Sequence, residues 1–134
     1  MPYWKTYYHL VTATAHREPL INELREPIIY RAIEDCCRRY EMPLYAIGGI
    51  ADHIRIVVSI PPSLSISKAV QYIKGNSSRV VNEALQDAGF GRQTEYGIET
   101  FAERHLDVVC RYVTNQKTHH ANGTTNPRLE RFEE

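Results

Sequence analysis

A chain of 134 residues with 43% hydrophobic and 24% charged side chains is long enough to bury one core, too apolar to be wholly disordered, and too short for two enzyme domains. Sixteen Lys plus Arg balance sixteen Asp plus Glu, which excludes a general electrostatic pull toward nucleic acid or acidic membrane and confines any nucleic-acid contact to a local patch. Cys36, Cys37 and Cys110 form no Cys-x-x-Cys pair or disulfide framework, and no apolar run nears the ~20 residues that span a bilayer, so the reading is a cytoplasmic protein with free thiols and no membrane partner.

In chain order, Thr6 to Ala13 is rich in aromatic and β-branched residues and reads as a first strand. From Glu26 to Tyr40, Ile29, Ile33, Cys36, Cys37 and Tyr40 recur at spacings of three and four, which predicts a helix with Pro27 in its first turn and Pro43 beyond its end. Leu44 to Ala51 is a short apolar run whose Gly48-Gly49 pair predicts a strand with a bulge or a close backbone approach. The third strand alternates, with Ile54, Ile56, Val58 and Ile60 on one face and His53, Arg55, Val57 and Ser59 on the other. Ser65 or Ser67 caps a second helix that runs to Ala88-Gly89 and is weakened in the middle by Gly75. A fourth strand follows at Tyr96 to Phe101. A last helix from Glu103 to about His120 carries the stripe Leu106, Val109, Cys110 and Val113.

The order β-α-β-β-α-β-α predicts an α+β fold of the ferredoxin-like or RNA-recognition-like kind: an antiparallel sheet with helices on its apolar face and the other face left for binding. Residues 1–120 form the single domain. Residues 121–134, with turn and charge composition, are a flexible or partner-dependent tail.

On this plan His53 and Arg55, two apart on a strand, point to the open face. On the last helix His105, Tyr112, Gln116 and His119 share one side at 100° per residue. A phenol, an amide oxygen and imidazoles would then lie near His53, a set with the chemistry for a metal and a nucleophile. Taken singly, each has an ordinary packing or surface role, and composition alone ends at an α/β domain with a polar face.

Several ordered blocks carry more. They are Tyr8-His9-Leu10-Val11 with Arg17-Glu18-Pro19-Leu20; Ala46-Ile47-Gly48-Gly49 followed by Asp52 to Pro62; Lys74-Gly75-Asn76-Ser77-Ser78-Arg79; Phe90-Gly91-Arg92-Gln93 with Tyr96-Gly97; and Arg111 to Gln116 with His119-His120. In these blocks, over about residues 5 to 120, the chain resembles the single-tyrosine HUH transposases of the insertion-sequence 200/605 kind, including relatives associated with repetitive extragenic palindromes.

The resemblance implies a divalent metal, Mg2+ or Mn2+, held by His53 and Gln116, and a nucleophile, Tyr112, that cleaves and rejoins single-stranded or hairpin DNA through a phosphotyrosine link. It also implies a homodimer whose Tyr helix serves the partner's histidines. The chain departs from the pattern at Arg55, where the family has its second histidine, because guanidinium has no lone pair to give a metal. Arg55 then either grips the phosphate in place of part of the metal's charge, or the metal is weakly held or lost and the protein is a catalytically silent or domesticated hairpin-DNA-binding protein. Arg92, where relatives carry Trp, is a second departure. The DNA contacts read from the sequence are Arg17, Lys74, Ser77, Ser78 and Arg79, as phosphate-neutralising or hydrogen-bonding groups. An RNA-binding sheet using Trp4 and Tyr7 is a third reading.

Overall fold

A computed structural model describes residues 4–14, 19–85 and 92–118, with residues 92–95 described in backbone only. The elements are β1 (Tyr8–Thr14), α1 (Arg25–Arg39), β2 (Leu44–Ile50), β3 (His53–Val58), α2 (Ile66–Leu85), β4 (Arg92–Thr100), a 3-10 turn (Glu103–His105) and α3 (Leu106–Thr114). The sheet order is β2-β3-β1-β4 with every neighbouring pair antiparallel, which is the ferredoxin-like arrangement the element order predicts. No helix among the described residues is long and apolar enough to cross a membrane.

Local chemistry sets the ends. Asn22 Oδ1 accepts from the amides of Leu24 (3.1 Å) and Arg25 (2.8 Å), turning the chain into α1. The helix ends before Pro43, because Glu41 takes a left-handed φ of 56° and the Met42 amide reaches back to the Cys37 carbonyl at 2.8 Å. Ser65 supplies the α2 cap, its Oγ accepting from the Lys68 amide at 3.1 Å. Gly89, the expected stop of that helix, lies outside the described residues. β4 starts four positions earlier than the apolar pattern predicts, since Thr14 pairs with Arg92 beyond a bulge and backbone pairing at an edge needs no apolar side chain.

The sheet carries apolar clusters on both sides. Leu10, Ile54, Ile56 and Val58 meet Ile29, Ile33, Cys36 and Cys37 of α1 and Val70, Ile73 and Val81 of α2 in the larger one. Ala46 and Val57 meet Val109 and Val113 of α3 in the smaller one, flanked by Phe101, Leu106 and Cys110. The second face is therefore not left open over β2 and β3; α3 lies on it. Burying each β3 residue follows from this double cover.

Gly75 sits inside α2, and a methyl group built there meets nothing within 4 Å. Gly75→Ala should therefore stabilise the fold by about 1 kcal/mol, through lower entropy of the unfolded chain and better helix propensity. Chemical denaturation checks this; an unchanged midpoint would refute it.

Candidate functional site

The second face of the sheet is built in rows. Register aligns Gly48, Arg55, Val11 and Gly97 across the four strands, with Ala46, Val57, His9 and Glu99 in the row on one side and Ile50, His53 and Ala13 in the row on the other. Arg55 thus lies between two histidines on one face. Over this face runs α3, and Gly48 lets it come close: a Cβ at Gly48 would stand 1.8 Å from the Val113 carbonyl oxygen. Of the two outcomes the Gly48-Gly49 pair predicts, the close approach is the one found at the glycines; the β2 bulge lies earlier, between Leu44 and Ala46.

The α3 helix ends at Asn115, and the following residues 116–118 turn helically again, which brings Gln116 down onto β3. Gln116 Nε2 donates to the Tyr112 carbonyl at 3.2 Å, which aims Oε1 at the sheet. Arg55 Nε donates to that oxygen at 2.9 Å, and His53 Nε2 lies 3.4 Å from it. The other end of the guanidinium, Nη1, stands 3.4 Å from His9 Nε2. Each imidazole is backed by a carboxylate: Asp52 Oδ1 lies 2.9 Å from His53 Nδ1, and Glu99 Oε1 3.2 Å from His9 Nδ1. Arg55 and Gln116 are 0% exposed and Tyr112 7%. Burial and the Arg55 charge hold the His53 pKa below its ordinary value, against the pull of Asp52, so this imidazole is neutral near pH 7. Lys117 ties the end of the segment down, donating to Glu26 Oε2 at 2.6 Å and to the Gly49 carbonyl at 3.2 Å.

A family described as "Transposase IS200 like" matches residues 2–116. The chain belongs to that family. The transposases for insertion sequence element IS200 from Salmonella typhimurium and Salmonella typhi are each 28% identical over 87 residues, or 65% of this chain and 57% of theirs. The chain thus spans less than two thirds of the length of these curated relatives. Two solved structures share the fold. A candidate transposase from Deinococcus radiodurans R1 aligns with a TM-score of 0.66 at 22% identity over 87% of this chain and 95% of that one. A REP-associated tyrosine transposase bound to a REP hairpin aligns at 0.66 and 12% identity over 93% and 76%.

Against the expectations for an IS200-like transposase, the structure brings His53, Arg55 and Gln116 together, with Gln116 bonded to the main-chain carbonyl of Tyr112 one turn away, and changes several assignments. Arg55 is fully buried, with Nε on Gln116 and Nη1 beside His9, rather than on the open face that the sequence suggests. The implied metal does not fit the residues present. Gln116 Oε1 is engaged by a guanidinium, and among the described residues no group of three or more His, Cys, Asp or Glu is placed to hold an ion.

His105 leaves the set; it is exposed in the 3-10 turn, where Arg104 Nε donates to it at 3.3 Å. His119, Arg17 and the tail lie outside the described residues, as does the Arg92 side chain. Ser77 is a correction, since its hydroxyl is buried and donates to the Ile73 carbonyl at 2.8 Å, which leaves no surface for DNA. Lys74 and Ser78 are half-buried, whereas Arg79 is exposed, donating to Asn76 Oδ1 at 2.7 Å and pairing with Glu83 at 3.2 Å. All of these α2 residues lie on the side of the sheet opposite Tyr112. The RNA reading loses Tyr7, which is buried beside Phe101 and Tyr45 with ring centroids 6.0 and 5.6 Å away.

Sequence reasoning missed Asp52 and Glu99 as parts of the site and offered His9 only as a substitute ligand. The signal for His9 was present: Leu10 points to the large core, so His9 must point to the face of His53 and Arg55. What was lacking was the pairing that sets β1 beside β3.

Proposed function

We propose that this IS200-like transposase cleaves and rejoins single-stranded DNA, hairpin-bearing strands above all, with Tyr112 as nucleophile. The observation that supports this most is the placement of Tyr112 and Gln116 one helical turn apart on the segment that closes over His53. In the step proposed, the phenol oxygen bonds to phosphorus and the bond from phosphorus to the 3′ oxygen breaks. The phenol loses one proton and the departing 3′-hydroxyl gains one, so the phosphotyrosine conserves the bond for rejoining. Arg55 acts as a positioning residue, fixing Gln116 and through it the Tyr112 turn. With 7% of its surface exposed, Tyr112 admits a phosphate only through that small opening or after a displacement of α3.

A second copy of the chain is the other partner we propose. Residues 101–105, which include the 3-10 turn, link α3 to the sheet, and exchanging α3 between two copies would rebuild the His53–Gln116 contact across a homodimer.

The second reading, a catalytically silent hairpin-DNA-binding protein, is favoured by one observation, the complete burial of Arg55 against Gln116. The test is incubation of the native chain with hairpin-bearing single-stranded DNA, followed by denaturing electrophoresis. A covalent protein-DNA band that survives denaturation is expected. Binding of the hairpin without any such band would favour the silent reading.

A further inference from the structure

Tyr112 is buried, so its phenol is fully uncovered only when the segment that carries it moves off the sheet. The two ends of that segment are held differently. At its start Lys5 Nζ lies 2.9 Å from Glu103 Oε1, the Tyr7 hydroxyl donates to Glu103 Oε2 at 2.9 Å, and the Phe101 amide donates to the Tyr7 carbonyl at 3.3 Å. Tyr7 is itself buried, which anchors this end to the body of the protein.

The far end is held by Lys117, whose ammonium donates to Glu26 Oε2 at 2.6 Å and to the Gly49 carbonyl at 3.2 Å. Glu26 belongs to the first turn of α1, and α1 packs on the face of the sheet opposite α3. Gly49 stands beside the β2–β3 turn, where Ile50 pairs with His53. The lysine therefore reaches around the end of the sheet and clasps one layer to the other. Its side chain is 64% exposed and that of Glu26 26%, so water and salt meet this contact before they meet the buried Gln116. An ion pair so placed is screened and modest in strength: it biases an opening without forbidding it.

We propose that Lys117 is a positioning residue for Tyr112: its clasp on Glu26 and the Gly49 carbonyl holds down the far end of the α3 segment and sets how often the Tyr112 phenol is uncovered, the segment swinging on the anchored 101–105 link. Access to the phenol then rises with ionic strength, because screening loosens the clasp and leaves the apolar contacts of Val109 and Val113 in place. The use of that opening, admission of a phosphate, rests on the reading of Tyr112 as nucleophile. The clasp is tested without DNA, so the two can fail separately.

The experiment follows nitration of Tyr112 by tetranitromethane, read by mass spectrometry at low extent and normalised to N-acetyltyrosine amide in the same solution, alongside hydrogen exchange across Leu106–Thr114. Lys117→Met and Glu26→Gln should each raise both rates about two- to fivefold, the range an exposed ion pair supplies. The double variant should exceed either single one only slightly, since both remove the same contact. Lys117→Arg, which keeps donors for the carboxylate and the carbonyl, should stay near the native rates. Raising NaCl from about 0.05 to about 0.5 M should move the native chain toward the variants and leave Lys117→Met where it is. Tyr112 nitration unchanged in Lys117→Met overturns the inference, as do single effects that add in full or a Lys117→Arg as open as Lys117→Met. Exchange that rises equally in β1 and β3 overturns it too, because the pair would then support the whole fold rather than catch one segment.

Discussion

Gly48→Ala should detach α3 from the sheet while the rest of the chain stays folded. The added Cβ would stand 1.8 Å from the Val113 carbonyl oxygen and 2.8 Å from its carbon, and both are backbone atoms that no rotamer change can move aside. The helix must retreat or leave, at a cost of about 3 kcal/mol or more for overpacking against backbone. The large core is on the other side of the sheet and holds Leu10, Ile54 and Ile56 without help from α3. Hydrogen exchange should therefore show lost protection across Leu106–Thr114 and near-native protection in β1 and β3. Unchanged protection in α3 would mean that the helix does not depend on the glycine.

Tyr112→Phe should abolish the covalent DNA adduct while leaving hairpin affinity within about twofold of the native chain, because phosphate contacts dominate such affinity and none is removed. The change deletes one hydroxyl and keeps the ring, which is buried with Val109 and Val113 in the α3 face, so folding should be little affected. Chemistry and binding would then separate, as expected when a nucleophile alone is lost. An adduct that persists in Tyr112→Phe at native yield would move the nucleophile elsewhere, and loss of hairpin binding together with the adduct would make Tyr112 a contact rather than a nucleophile.

Elements whose formation depends on local pattern were readable before any coordinates. The alternation through Ile54, Ile56 and Val58 locates β3, and the three-and-four spacing through Ile29, Ile33 and Cys36 locates α1. The β-α-β-β-α-β order then limits the sheet to few topologies, and the ferredoxin-like one is found. The Gly48-Gly49 pair announces a close approach without naming what approaches. That information belongs to contacts of high sequence separation, here between Gly48 and Val113.

The site was legible to the same degree. His53, Tyr112 and Gln116 carry motif spacing, and His53 and Gln116 come together in space. The burial of Arg55 could not be read, since a strand arginine facing away from the helices looks solvated until α3 is laid over it. Glu99 and His9 are 90 residues apart and become neighbours only through the β1–β4 register. Ser77 shows the converse, for a serine amid Lys74 and Arg79 looks like a DNA contact, whereas helical phase turns it inward.

The placement of apolar clusters on two sides of one sheet also gives the chain a pair of internal reporters. Cys36 and Cys37 lie in the larger cluster and Cys110 borders the smaller one, and all three are free thiols. Burial raises the pKa of each, that of Cys37 to about 12, so none is a ready thiolate in the native fold. Alkylation of the buried Cys36 and Cys37 must then wait for their cluster to open, whereas the half-buried Cys110 reacts slowly in the native fold. A rise in the labelling rate at Cys110 above its native level reports the lifting of one helix, and labelling at the Cys36-Cys37 pair clocks the unfolding of the whole. Mass spectrometry of one unmodified sample can thus time both events separately, with no probe introduced into the molecule.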